Sequence, residues 1–458
     1  MGSNALVSVL HVPFTYFPDP IGGTEIYVEG LVNSLSKCGL RSVIAAPGVD
    51  ESNYMWNGFA VHRFHRSDAL DLVDQYGLGD RKASASFGRL LDQIAPDVVH
   101  LHARTPAISV WIVEETRQRG IPTVFTYHTP TVTCMRGTLM YMGKTLCDGR
   151  LNAGRCTACS LQGHGLPGLA AQLAASLPGR FSSVASLGAR GRLRTALQMR
   201  MLTRETHNAV RRFLETVDHI VVIADWAADL LERNGVDPVK ITMSRPAVTV
   251  PVSPVSPLPP SRSGRLQVAF LGRLHPDKGL HVLLHAMALI PDAPIQLDIY
   301  CMIDPGSDTK YLQLLRDLSA RDSRVAWLTP ISGEPVSTLQ HYDLLAVPSL
   351  CFEAGPLVVL EAFAAGIPVV GSALGGIAEL VTPDVDAVLV APGVVSAWAH
   401  SFKVLAEAPE LVDKLRSGVR PPRTMAEVGQ DMCAIYRNLI GGRRPSRLGN
   451  PAHSAAQQ

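Results

Sequence analysis

The stretch Cys351–Leu380, CFEAGPLVVLEAFAAGIPVVGSALGGIAEL, decides the fold. It reads as a loop, a helix start, a buried strand and a Gly-Gly turn. Pro356 suits the first helical position, where its missing N–H costs nothing. The amides of Leu357 and Val358 are then left free at a positive dipole end, a place suited to a phosphate. Glu353 falls in the loop before the helix and Glu361 one to two turns inside it. Two acceptor-only carboxylates beside an anion site suit a ligand that also carries hydroxyls, such as a nucleotide-sugar. The plain alternative is one helix-capping glutamate and one solvated one.

Outward from this stretch, apolar runs alternate with helical patterns over most of the chain, the mark of doubly wound parallel sheets. VSVLHVP, SVIAAP, DVVHLHA, TVFTYHT and HIVVIAD read as buried strands of a first half. LQVAFLG, IQLDIYC, VAWLTP, LLAVPS, IPVVGS and AVLVAP read as those of a second half. PVSPVSPLPPSRSG, residues 251–264, is a Pro/Ser-rich linker between them. The expected division is a first domain over 1–250, a second over 265–425, a helix over 426–440 returning to the first domain, and a disordered tail over 441–458. Ligands of open α/β sheets bind beyond the carboxyl ends of the strands, so two facing halves would share one cleft.

The 458 residues allow two or three sizeable cores, and 47 % apolar with 18 % charged residues describe a soluble globular chain. A net charge of +2 is too small to point to nucleic acid. No run of apolar residues is long enough for a membrane span. MGSNALVSVLHVPF lacks the charged region of a signal peptide, and Leu6 stands where myristoylation needs Ser or Thr. The expected compartment is the cytosol, where eight cysteines point to thiols or metal ligands before disulfides.

VAFLGRLHPDKGL, residues 268–280, reads as strand, loop and helix start. Gly272 is expected to let the backbone turn, and Arg273 and Lys278 place a guanidinium fork and an ammonium where the strand ends, a pairing suited to a diphosphate. Together G-R-L-x-x-x-K-G, F-E-A-G-x-x-x-x-E-A-x-A-x-G-x-P-V-V and G-G-x-x-E resemble the donor-binding half of the retaining GT-B glycosyltransferases of family 4. P-x-x-x-x-G-G-T-E in the first half resembles that family's N-terminal glycine loop, and WAADLLERNGVDPVKI the segment before its interdomain crossover. KITMSRPAV, residues 240–248, lacks the Asn-Gly that often precedes that crossover.

The resemblance implies an α/β fold of GT-B type, two Rossmann-like domains facing a central cleft. It implies that Arg273 and Lys278 hold the donor diphosphate, Glu361 the ribose hydroxyls and Glu353 the transferred sugar, with the backbone from Gly355 through Leu357 and Val358 against sugar and phosphates. Gly22 and Gly23 would let the first-half loop approach donor and acceptor, Thr24 could cap the following helix, and Glu25 sits in its first turn. His128 ends a strand on the cleft side, and the resemblance places it near the reacting carbon. His102 is nearer the cleft than His100 or His11; for all three a structural role stands beside a functional one. The implied reaction is retaining transfer to an acceptor the sequence does not name, by front-face attack in which the departing phosphate takes the acceptor proton. Cations and helix dipole would stabilise the leaving group without a divalent metal, and no cofactor is expected for catalysis.

Two segments stand outside this pattern. Cys134, Cys147, Cys156 and Cys159 lie within an insertion over 129–165 as C-x12-C-x8-C-x2-C. A structural zinc, an iron–sulfur cluster and free thiols are all readings of this set; Cys38, Cys301, Cys351 and Cys433 read as isolated. Residues 180–212 carry eight arginines against one acid, Glu205. Contact with anionic lipid at the inner membrane face, serving a lipid-linked acceptor, competes there with a solvated helix. The rival functions are a non-catalytic sugar- or lipid-binding scaffold of the same fold, a nucleotide-sugar epimerase and a cysteine-cluster redox protein.

Overall fold

A computed structural model describes residues 7–19, 22–176, 191–249, 264–303, 308–331, 333 and 335–443. The expected linker lies outside them except for Gly264, as do the first part of the arginine-rich segment and the tail beyond Arg443.

The first domain is built on an eight-stranded sheet in the order Ile241–Met243, His219–Val222, Thr123–Tyr127, Val98–Leu101, Ser8–Val12, Arg41–Gly48, Phe59–His65, Ser52–Trp56. All pairs are parallel except the last, an antiparallel hairpin. Val98–Leu101 and Thr123–Tyr127 are buried at every residue, as expected of strands covered by helices on both faces. The second domain carries six parallel strands in the order Val325–Leu328, Ile295–Met302, Leu266–Arg273, Leu344–Val347, Val369–Ser372, Ala387–Val390. Every strand expected from the apolar runs is present. The hairpin Ser52–Trp56 with Phe59–His65, the short strand Ile241–Met243 and the small pair Met140–Tyr141 with Thr145–Leu146 are additions.

In each sheet the chain reverses direction of winding beside its first strand. Ser8–Val12 lies between Val98–Leu101 and Arg41–Gly48, and Leu266–Arg273 between Ile295–Met302 and Leu344–Val347. Crevices form at such switch points, beyond the carboxyl ends of the strands. The loop holding Gly22 and Gly23 leaves the first crevice; Arg273 and the loop Ser349–Glu353 leave the second.

The last helix, Met425–Arg443, crosses back to the first domain, where Val428, Met432, Cys433 and Tyr436 join the core of Val9, Val28, Leu31 and Ile44. Gly429 is required there, because a Cβ would stand 2.2 Å from Ser34 Oγ. The helix includes Gly441 to Arg443 and so runs three residues into the expected tail. Burial and the neighbouring Cys38 thiol raise the Cys433 thiol to about 11, so these two cysteines are not isolated, a pairing between distant segments that spacing could not show.

Of the arginine-rich segment, Gly191–Thr216 is one helix. Arg212 pairs with Glu114 and lies 5.3 Å over the Trp111 ring, while Arg200 donates to Ala175 O; Arg204 and Arg211 are exposed. Among the described residues no helix is long and apolar enough to cross a membrane.

Candidate active site

The second-domain wall starts from a turn. After Leu266–Arg273 the chain forms the short 3-10 segment Pro276–Lys278 and reverses at Gly279, whose φ of 71° and whose Cβ position 2.0 Å from Pro348 O exclude a side chain. The turn glycine is thus Gly279. Gly272, expected in that role, is paired with Cys301 inside the strand at a negative φ, and its Cβ would meet only Phe270 at 3.4 Å. Leu350 N donates to Asp277 O at 2.7 Å, which ties this turn to the loop of Glu353.

Lys278 Nζ lies 2.8 Å from Glu353 Oε2, and the Ser349 hydroxyl donates to Glu353 Oε1. Burial opposes the charge on Glu353, but Lys278, Ser349 and Arg273 together outweigh it and hold the carboxyl below its usual range. Arg273 makes no hydrogen bond or ion pair among the described residues, although its charge is felt by Glu353 and, across the domains, by Glu25. It is a free cation at a crevice mouth.

The following helix is Leu357–Ala364, with Pro356 as its cap residue, so it begins one position after the expected start. Val359 N bonds Pro356 O at 3.1 Å, so the amides of Leu357 and Val358 have no backbone partner. Glu361 sits in the second turn, 9 % exposed, with no hydrogen bond among the described residues. Burial pushes its carboxyl up to about 7. Gly355 faces the first domain at close range: a Cβ would stand 3.0 Å from Pro246 and 3.1 Å from Ile223. Gly355 is thus held at a domain contact, a role the sequence reading did not include.

The opposite wall is the helix Gly23–Lys37. Its cap is Gly22, and the Glu25 carboxylate accepts the Gly22 N–H at 3.0 Å. Thr24 therefore does not cap; it lies inside the first turn, because the helix begins two residues earlier than expected. Glu25 is buried, which raises its carboxyl despite the Gly22 amide and Arg273. A Cβ on Gly23 would come within 3.3 Å of Leu357 Cδ1, so the two loops meet across the cleft.

His128, half-buried just past Thr123–Tyr127, rests edge-on against Tyr27 of that helix at 4.8 Å. Its Nε2 is 3.2 Å from His102 Nδ1, and His102 Nε2 is 3.2 Å from His11 Nδ1. Burial lowers all three rings, so each is neutral near pH 7 and carries one proton. His11 Nε2 is buried without a partner. Orphaned buried N–H groups are rarer than orphaned acceptors. The favoured set therefore leaves His11 Nε2 bare, runs His11 to His102 to His128, and leaves the proton of His128 on Nδ1. His102 thus stands behind His128 and not on an acceptor surface. His11, His100 and His102 bring ligating nitrogens within 4.8 Å of one another. His100, however, spends both nitrogens on Tyr436 OH (2.6 Å) and Thr126 Oγ1 (2.7 Å), which makes it a bridge to the last helix and not a ligand.

One contributor escaped the sequence reading. Glu379, the acid of G-G-x-x-E, accepts the backbone N–H groups of Asp225 (2.6 Å) and Trp226 (2.9 Å) and pairs with Arg245 at 2.6 Å. It caps the helix Asp225–Arg233 of the other domain. Trp226 Nε1 in turn donates to Glu353 O at 3.1 Å, and Gly376 N to the same oxygen at 2.7 Å. The Gly-Gly turn signalled a close approach; the partner lay 154 residues away.

Comparison with known proteins agrees with this geometry. Residues 22–247 match the family of glycosyl transferase 4-like domains and residues 259–420 that of glycosyl transferases group 1. The chain is 30 % identical over 244 residues to a D-inositol 3-phosphate glycosyltransferase of Corynebacterium efficiens, covering 49 % of this chain and 54 % of that one. It thus spans about half the length of the curated relatives it matches. The fold is shared with sucrose-phosphate synthase from Thermosynechococcus elongatus (TM-score 0.64, 17 % identity, 95 % of this chain and 100 % of that one). It is shared equally with Anabaena HepE, solved with UDP (TM-score 0.62, 14 % identity, 94 % and 100 %).

Proposed function

Because this chain belongs to the group 1 glycosyl transferases of GT-B fold, we propose that it moves a sugar from a nucleoside-diphosphate donor to a hydroxyl acceptor with retention of configuration. The observation that carries this is the Lys278–Glu353 pair with Arg273 acting on both Glu353 and Glu25, beside a helix start whose Leu357 meets Gly23 across the cleft; Glu361 and His128 take their roles from the family resemblance. The diphosphate takes Arg273, Lys278 and the helix start, which together neutralise charge as the phosphate departs. Glu361 takes the ribose hydroxyls. Glu353 takes sugar hydroxyls, with its backbone oxygen fixed by Trp226 and Gly376. His128, with its proton on Nδ1, donates to the transferred sugar and is not a base. The acceptor hydroxyl approaches from the first-domain side and gives its proton to the leaving phosphate oxygen.

A relative acting on inositol phosphate and a neighbour solved with UDP support a nucleotide-sugar donor and leave this chain's own sugar and acceptor to experiment. The test is a panel of UDP-, GDP- and ADP-sugars read by thermal shift, followed by NMR of the product's anomeric proton with and without chelator. One donor series should stabilise the protein, and Arg273→Ala and Lys278→Ala should abolish the shift. A panel without any shift overturns the reading, as does an inverted product.

A further inference from the structure

The lobe over residues 129–165 takes no part in that chemistry, yet it holds half of the eight cysteines. Cys134 follows the turn Pro130–Val132, Cys147 follows the strand Thr145–Leu146, and Cys156 and Cys159 lie one turn apart on the helix Ala153–Gly163. All four line a single cleft, and none forms a disulfide. Positions three apart on a helix share a face, so this last pair is presented together.

The surroundings suit thiolate ligands. Met142 N–H donates to Cys159 Sγ at 3.2 Å, and Arg155 Nη2 lies 3.8 Å from Cys147 Sγ. Arg136 lines the same cleft and donates to Cys159 O at 3.2 Å. Four thiolates around a divalent ion leave two negative charges, which N–H donors and two guanidinium groups would offset. Neutral buried thiols have no need of either. The lobe also lacks a core of its own: its Val132 and Leu139 join the main core of the first domain, and its Leu161 packs with Ala171 and Met199 from the helices that follow. Small units of this kind depend on a covalent or metal staple.

The lobe is wedged beside the donor loop. Leu151 N donates to Asn234 Oδ1 at 2.9 Å and Asn234 Nδ2 to Gly149 O at 3.0 Å, fastening it to the end of the helix Asp225–Arg233. Its Thr138 O accepts the N–H of Phe352, the neighbour of Glu353, at 3.2 Å.

We propose that Cys134, Cys147, Cys156 and Cys159 hold a metal centre, a zinc ion or an iron–sulfur cluster, which staples the lobe and through Thr138 and Phe352 steadies the loop of Glu353. A single ion would gather the four sulfurs around one point, whereas a cluster would fill the space between them. The binding claim stands apart from the proposed transfer; the effect on the loop rests on it.

The test begins with metal analysis and visible absorbance of the full chain, purified both in air and anaerobically. The expected result is about one zinc per chain without colour, or about two to four irons with a visible band. Cys156→Ser with Cys159→Ser should lose the metal, whereas Cys38→Ser, on the far helix, should keep it. Should the double variant fail to fold, the wild-type stoichiometry still decides. Metal removal by chelator should open the lobe to protease and raise the donor KM several-fold more than it lowers kcat. Wild-type protein that carries no metal from either preparation, and takes up neither zinc nor iron with sulfide, overturns the proposal. So does a thiol titration that finds the four cysteines in disulfides. A stoichiometric metal with an unchanged donor KM after its removal overturns the coupling to the loop alone, and a metal-loaded chain that binds no donor overturns the transferase reading alone.

Discussion

Replacing Glu361 by Gln should make the free protein more stable and the liganded protein weaker. Burial raises the Glu361 carboxyl from 4.5 to about 7, and at 9 % exposure solvent screens it little. The folded chain holds this proton more tightly than the unfolded one, so the group's contribution to stability is full below 4.5 and is lost as pH rises through about 7. At about 1.4 kcal/mol per pH unit the span is about 3 kcal/mol. Glutamine has the same shape and no charge to bury. Urea denaturation of the ligand-free variant should therefore show a gain of up to about 3 kcal/mol at pH 8, shrinking to under about 1 kcal/mol at pH 5. Ribose hydroxyls donating to the ionised carboxylate are worth about 1.5–3 kcal/mol each. The variant should then bind the nucleoside diphosphate about 10- to 100-fold more weakly at pH 8. Wild-type affinity should also rise from pH 6 to pH 8, with proton release visible by calorimetry in two buffers. A variant that binds nucleotide as well as wild type, or is no more stable at pH 8, would refute the argument.

Three further outcomes follow from the same geometry. Gly376→Ala places a Cβ 2.5 Å from Ala354 O and 2.6 Å from Glu353 O; the donor loop must shift, and kcat/KM should fall at least about 10-fold with a stability loss of about 1–3 kcal/mol, checked by kinetics and denaturation. Glu379→Ala removes the cap of Asp225–Arg233 and leaves Arg245 with Asp225 alone; a loss of about 2 kcal/mol and a red-shifted Trp226 emission are expected. His102→Phe frees His128 to place its proton on either nitrogen. kcat should fall about 10-fold with KM unchanged and His102→Gln recovering part of it, and nitrogen NMR of His128 should report a mixed tautomer where wild type shows one.

Both sheets were readable because their strands are continuous apolar runs, and the donor wall because its charges sit within eleven residues of glycines and a proline that fix the backbone locally. The Asn57-Gly58 turn, with φ of 45° and 85°, carried an equally local signal for the hairpin it closes. Its strands escaped because one of them, Ser52–Trp56, is half exposed and lacks an apolar run. What the sequence hid depends on register or on the other domain. His11 and His100 are partners across neighbouring strands, but nothing in HVP, HLH and YHT says that alternate rings join in one line. Glu379 looks like any motif acid until the helix it caps arrives from the first domain. Gly272 and Gly279 are seven residues apart, one at the end of a strand and one in the turn after it, and only the carbonyl of Pro348 decides which must be glycine.

The resting contacts of the donor wall also set an order of events. Among the described residues Arg273 is unpaired, whereas Lys278 is already satisfied by Glu353 at 2.8 Å. An arriving diphosphate meets Arg273 and the two helix amides at no cost in existing bonds, but must share or displace the ammonium. Each increment of charge Lys278 gives to phosphate is withdrawn from Glu353, whose ionisation stands against burial largely through that lysine. The carboxylate then needs another donor, and in the proposed site the groups placed to supply one are the hydroxyls of a sugar on the same diphosphate. A complete donor satisfies both members of the pair, whereas a bare nucleoside diphosphate satisfies one at the expense of the other. In the proposed site, selection for an intact donor thus needs only this one half-buried ion pair, without a separate pocket for recognising the sugar.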